Sequence, residues 1–261
     1  MQFARPTIIP ALLIAATVVS AQQKSEPLTQ VALFRVDADK TAAFVEKGRE
    51  FIPVMDKLMA DGAILAYGME VDLLHHTSEP NVAFWYSAAN YTNLEKAEKA
   101  ITEFQGKSSD LMKSLTALTD LNKHSDIIVR SLESGGAPNS ACGTPVNSFS
   151  RYRLKPGKQK QFLEMFRANQ KRVLDTLVKS GAVCGYSFDV EDVHTVEPGT
   201  VWLIVSTPNL AEWDKIDAAF EAEEAKLSAA DKAIRENSWR DVQVEGTHRD
   251  SVSRVAFMKS K

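Results

Sequence analysis

The chain reads as an α+β protein made of two tandem copies of one β-α-β-β-α-β unit. Three observations predict this. Sequence blocks recur at a constant spacing, each block carries the same succession of strand and helix periodicities, and a Gly-, Ser-, Pro- and Asn-rich stretch separates them. The composition is compatible, since 261 residues that are 44% hydrophobic and 25% charged make an ordinary globular chain. That length suits two units of roughly 100–130 residues. A formal net charge of −3 gives no global electrostatic case for nucleic acid.

Residues 1–21 read as a cleavable signal peptide. Arg5 precedes an apolar run, and Val19-Ser20-Ala21 supplies the small residues of a cleavage site before the polar Gln22-Gln23-Lys24. The run is shorter than the roughly 20 residues a spanning helix needs, and Pro10 interrupts it. Cleavage after Ala21 removes one basic residue and no acidic one, so the mature chain is more acidic than the precursor. The expectation is a soluble protein, secreted or periplasmic, with no stable membrane span after cleavage.

The repeat is visible residue by residue. Ala63-Ile-Leu-Ala-Tyr67 answers Ala182-Val-Cys-Gly-Tyr186, and His76-Thr-Ser-Glu-Pro80 answers His194-Thr-Val-Glu-Pro198. Phe34-Arg35 answers Tyr152-Arg153, Phe44 answers Phe162, and Asn90 answers Asn209. A last pair, His124-Ser-Asp126 through Arg130 against His248-Arg-Asp250 through Arg254, is further apart and implies a small insertion in the second copy. The first copy is placed at residues 28–133, the linker at 134–147 and the second copy at 148–258.

Each element follows from its pattern. The first strand, 31–36 or 149–154, leads into a turn carrying Asp-Ala-Asp or Lys-Pro-Gly. A helix over 41–61 or 159–180 follows, its Phe44, Phe51, Met55 and Leu58, or Phe162, Phe166, Leu174 and Leu177, at helical spacing. Gly62 or Gly181 ends it, and Pro53 is expected to bend or break the first copy. Two strands joined by the His-Thr-x-Glu-Pro hairpin come next, 64–74 with 82–88 and 183–193 with 201–207. A charged helix, 94–105 or 211–227, and a closing strand, 127–132 or 252–257, complete the unit.

This order is the ferredoxin-like unit. Its sheet has helices on one face only, and a second copy is an economical cover for the other. The run Tyr152-Arg-Leu-Lys-Pro-Gly-Lys158, with Gln161-Phe162-Leu163-Glu164 and a long helix after it, resembles the dimeric α/β-barrel superfamily, in particular its NIPSNAP-like and antibiotic-biosynthesis-monooxygenase-like branches. The resemblance implies two ferredoxin-like repeats forming an intramolecular barrel. It also implies a range of activities, from cofactor-independent oxygenases to haem proteins such as chlorite dismutase.

The repeated His-x-Asp-x-x-x-Arg is the strongest candidate for chemistry. Strand alternation puts His124, Asp126 and Arg130 on one face, as it does His248, Asp250 and Arg254. With Arg35 and Arg153 on the first strands, and if those faces look into the space between the sheets, they make a cationic pocket for a carboxylate or enolate. The competing reading is a structural polar network. The hairpin His residues, His75, His76 and His194, fit turn chemistry better than a metal site. Tyr67, Trp85, Tyr86, Tyr186, Phe188 and Trp202 fit sheet core, or the wall of a cavity for a planar molecule. Cys142 and Cys184 either form one disulfide or remain thiols. Differences between the copies, Pro53 against Arg172 and Ala83 against Trp202, predict unequal cavities.

The resulting expectation is binding of a small organic or anionic ligand or a partner in the inter-repeat cavity, by a monomeric pseudo-dimer or a homodimer. The alternative is a cofactor-independent monooxygenase- or isomerase-like enzyme, and the lesser alternative a haem-binding protein. No cofactor and no metal are expected.

Overall fold

The computed structural model describes residues 26–74, 79–136, 142–193 and 198–261. Residues 1–25, 75–78, 137–141 and 194–197, on which the expected signal peptide and the His-Thr motifs fall, lie outside them. The first repeat runs β1 (Leu28–Phe34), α1 (Thr41–Gly48), α2 (Ile52–Ala60), β2 (Ala66–Asp72), β3 (Val82–Ala88), α3 (Tyr91–Lys107), α4 (Ser109–Leu118) and β4 (Ser125–Gly136). The second runs β5 (Val146–Arg153), α5 (Gln159–Phe166), α6 (Arg172–Ser180), β6 (Gly185–Val193), β7 (Thr200–Thr207), α7 (Trp213–Ala225), α8 (Ala229–Val242) and β8 (Arg249–Ser260).

The eight strands close into one antiparallel barrel in the order β1-β3-β2-β8-β5-β7-β6-β4. Each repeat contributes a four-stranded sheet with its last strand beside its first, and the last strands make the seams: β8 pairs with β2, and β4 with β6. Both seam strands are longer than their sequence pattern predicts. Ser134–Gly136 continue β4, and Val146 and Asn147 belong to β5, so the inter-repeat connection shortens to residues 137–145. Closure explains the extension: every backbone donor on an edge strand that finds a partner strand is satisfied without water. Both seams carry register shifts, between Met69 and Glu70 on β2 and twice along β4, as a tightly curved closure requires.

The long helix of each repeat is interrupted at the same place in two ways. Arg49–Phe51 form a 3₁₀ turn, and Pro53 follows in the first turn of α2, where a missing N–H breaks no internal hydrogen bond. Arg167–Lys171 instead form a π-helical turn. The sequence reading missed α4 and α8 as separate helices. Leu111, Leu115 and Leu118 mark the first at helical spacing, and Ser228 caps the second by accepting from the Asp231 amide at 3.1 Å.

The helices cover the outside of the barrel and split the apolar core in two. Phe44, Met55, Ile64 and Tyr86 centre one cluster, and Phe162, Phe166, Leu174 and Phe188 the other. The Cys142–Cys184 disulfide, closing 42 residues of sequence, ties the entry to β5 to the entry to β6. Gly136 sits against this corner with a φ of 84°, where a Cβ would come within 2.4 Å of the Cys184 carbonyl oxygen; only glycine fits there.

A candidate ligand cavity inside the barrel

With the helices outside, alternate residues of every strand point inward. They leave a cavity of about 520 Å³. Val31, Trp85, Ile127, Phe149 and Ile204 give it apolar walls; of the five acidic residues on the lining, Glu70 on β2 and Asp189 on β6 are the buried ones. The two carboxyls occupy corresponding positions of the repeats, and both are buried.

Their surroundings differ. Glu70 is fully engaged: the Trp85 indole N–H donates to Oε1 at 2.9 Å, the Ser253 hydroxyl donates to Oε2, and the Asn147 side chain adds a third hydrogen bond. Burial raises its pKa against those three bonds, which lower it. Gly68 makes the Trp85 bond possible, because a Cβ there would meet the indole at 2.7 Å. On Asp189, the Ser187 hydroxyl donates to Oδ2 at 3.0 Å, while Oδ1 has no partner. Burial pushes this carboxyl up to about 6 against hydrogen bonds from Ser131 and Ser187.

Directly across the β6–β7 ladder from Asp189 stands Trp202, whose buried indole N–H is also unpartnered. Arg151 is the next residue in that row, on β5, with its guanidinium 5.7 Å from the Trp202 ring centre. Asn147 Oδ1 is the third unpartnered buried atom on the cavity wall. Such atoms each cost about 1–3 kcal/mol unless something pairs with them.

Solved structures share this architecture. A candidate monooxygenase from Lactobacillus acidophilus NCFM is similar over 90% of this chain and 96% of its own, with a TM-score of 0.61 and 9% identity. A candidate monooxygenase from Fusobacterium nucleatum is similar over 91% of this chain and 95% of its own, with a TM-score of 0.62 and 11% identity. An anthrone oxidase-like protein is similar over 90% of this chain and 93% of its own, with a TM-score of 0.54 and 12% identity. The fold is the dimeric α/β-barrel, formed within one chain. No protein-family model matches the sequence, and the search of curated proteins returns no significant match. At these identities the likeness shows the fold.

Within this dimeric α/β-barrel the residues of the His-x-Asp-x-x-x-Arg strands do not form the inter-sheet pocket expected of them. Ile127, Val129 and Ser131 are the β4 residues on the cavity side, so alternation turns His124, Asp126 and Arg130 outward. His124 stacks on Phe34 at 4.7 Å, with Nδ1 2.9 Å from the Leu33 carbonyl and Nε2 3.1 Å from Asp126. Arg130 makes two hydrogen bonds to Asp192, at 2.7 and 2.8 Å, beside the Tyr91 ring. His248 stacks on Tyr152 at 4.4 Å and bonds Asp250 at 3.0 Å. Asp250 reaches the cavity rim, where the Ser150 hydroxyl donates to it at 2.6 Å. Arg254 is exposed, and Arg35 and Arg153, near the ends of β1 and β5, do not line the cavity.

Neither described histidine suits a haem. His124 uses both ring nitrogens, and His248 is an exposed ring already bonded through Nε2, whereas haem needs an imidazole free to ligate iron in an apolar pocket. His75, His76 and His194 lie outside the described residues. Among the described residues no group of three or more metal-ligating side chains comes together, and no helix is long and apolar enough to cross a membrane.

The sequence reading passed over Glu70, Asp189, Asn147 and Arg151. A usable signal was present for two of them: an acidic residue recurs at the repeat spacing between apolar neighbours, as Met69-Glu70-Val71 and Phe188-Asp189-Val190, a costly choice unless the position has polar company.

Proposed function

We propose that this protein binds a small, largely apolar organic molecule inside the barrel. The observation that carries the reading is the cavity of about 520 Å³ with Asp189 Oδ1, Asn147 Oδ1 and the Trp202 N–H unpartnered on its wall. Its size falls in the range of about 300–1,000 Å³ typical of small-molecule sites, and so does its mix of apolar walls with a few placed polar groups. A ligand whose own donor and acceptor meet those atoms recovers the cost of leaving them unpaired.

In this reading the chain is exported through residues 1–21, the disulfide belongs to an oxidising compartment, and the tandem barrel works as a monomer. Native mass spectrometry of protein recovered from the export compartment tests export, the monomer and the occupied cavity together. The expected spectrum is a monomer beginning at Gln22 with an added small-molecule mass. A chain that keeps residues 1–21 overturns export. A bare chain that also takes up no apolar probe overturns the cavity reading.

One observation favours an enzymatic variant of the same site. A buried carboxyl with a pKa of about 6 is suited to taking a proton from a phenolic or enolisable substrate, and similar folds include an anthrone oxidase-like protein. Oxygen consumption with an anthrone, lost in Asp189→Asn, is the outcome this variant requires.

A further inference from the structure

The row Asp189–Trp202–Arg151–Arg249, read across β6, β7, β5 and β8 by the strand register, narrows the ligand class. This step rests on the cavity reading above. Arg151 is half-buried on the cavity wall and makes no ion pair with a described carboxylate; its one contact of note is with the Trp202 ring. Arg249 stands opposite it in register and also lines the cavity. One guanidinium nitrogen of Arg249 is fixed by the Gly246 and His248 carbonyls at 2.8 and 2.7 Å. Arg249 is exposed and water screens its charge, whereas Arg151 is half-buried on the cavity wall, where an anion would pair with it. At the corresponding positions of the first repeat Leu33 faces Ser125, so the positive charge belongs to one end of the cavity only.

We propose that the ligand is an organic acid whose carboxyl group sits at Trp202 and Arg151, with its apolar body reaching between Phe149, Ile204 and Trp85. One carboxyl oxygen accepts from the Trp202 N–H and from Arg151. The other faces Asp189 Oδ1, and the two carboxyl groups share one proton. The shared pair carries a single negative charge, which Arg151 balances. The groups that face Asp189 are Ser131 from β4, Ser187 on its own strand and Trp202 from β7, with the Glu70 carboxyl also on the cavity wall. Of the other acidic residues on the lining, Asp250 is already engaged by His248 and Ser150, Asp72 stands opposite Ser253 at the end of β2, and Glu79 precedes β3. The burial that pushes Asp189 up to about 6 makes the shared proton available near neutral pH.

Calorimetric titration of the full disulfide-bonded chain with 2-naphthoic acid, 2-naphthol and 2-methylnaphthalene, at pH 6, tests this. The naphthoate is expected to bind at least about tenfold more tightly than either neutral probe. Arg151→Met should abolish that preference while leaving 2-methylnaphthalene binding unchanged, and Arg151→Lys, which keeps the charge, should retain part of it. Equal binding of the three probes, or a preference untouched in Arg151→Met, overturns the acid assignment and leaves the cavity reading standing. Tighter binding of 2-naphthol than of naphthoate has the same meaning. Failure of all three to bind the wild-type chain overturns both. If Arg151→Met does not fold, Trp202→Phe reads the same carboxyl group and is expected to weaken naphthoate alone.

Discussion

The two repeats place their loose and their finished regions on opposite sides of the same sheet. In the first repeat the inner face is finished: Glu70 is held by Trp85, Ser253 and Asn147. Its outer face is not, since a cleft of about 340 Å³ remains among Phe34, Phe44, Met69 and Met112, with His124 at its edge. In the second repeat Trp239 fills the corresponding outer position, although Gln170 Oε1 and the Trp213 N–H stay unpartnered on the helices. Trp239 packs edge-on to Phe162 at 5.0 Å and stacks against Tyr152. Its inner face keeps Asp189, Trp202 and Arg151 incompletely paired. A true homodimer would carry the same surface twice. Duplication inside one chain frees each copy to be solid where the other is open, and here it makes the barrel cavity polar on one wall.

The largest test of that asymmetry is the disulfide, which ties the inter-repeat connection to the second repeat and has no counterpart in the first. Cys142→Ala with Cys184→Ala removes a constraint on a 42-residue loop and is expected to cost about 4 kcal/mol in urea unfolding. A loss under about 1 kcal/mol would mean that the inner wall of the second repeat is held by the sheet alone.

Glu70 and Asp189 give the sharpest contrast. Glu70→Ala strands the Trp85 indole and two further donors, and should cost about 3 kcal/mol. Asp189→Asn should differ in sign with pH. A carboxyl held above its ordinary value of 3.8, up to about 6, contributes most to stability when protonated. That contribution is complete below about pH 4 and is lost as pH rises through 6, and it amounts to roughly 3 kcal/mol. The variant should therefore gain on the wild type between pH 4 and pH 7, followed by thermal melting across that range. A constant offset between the two melting curves would show that Asp189 is not shielded as its burial implies.

The smallest effect concerns the outer arginines. Arg130→Met breaks a two-point ion pair with Asp192 and should cost about 1 kcal/mol, whereas Arg254→Met, at an exposed position, should stay within about 0.5 kcal/mol. Neither should change naphthoate binding, because neither side chain lines the cavity. A binding defect in either variant would return the outward His-Asp-Arg strands to the site.

The repeat, the order of strands and helices within it and the need for each sheet to be covered were all determined by the sequence. They depend on local periodicity and on spacing along the chain, which folding does not alter. Two helices escaped that reading because α4 and α8 follow their predecessors after a break of one or a few residues, and a periodic stretch does not announce so short an interruption. The inner wall needed the tertiary structure. Alternation says that Ile127 and Val129 share one face of β4 and that His124, Asp126 and Arg130 share the other, but it does not say which face is inside. Barrel closure decides that, because the helices must lie outside and the apolar face of β4 then turns inward. Water still reaches the polar side chains at the strand's start, where the His124 side chain stays 31% exposed. The same closure brings Asp189, Trp202, Arg151 and Arg249 into one row from four strands far apart in sequence. No spacing rule connects those residues. Only the register of the ladders does.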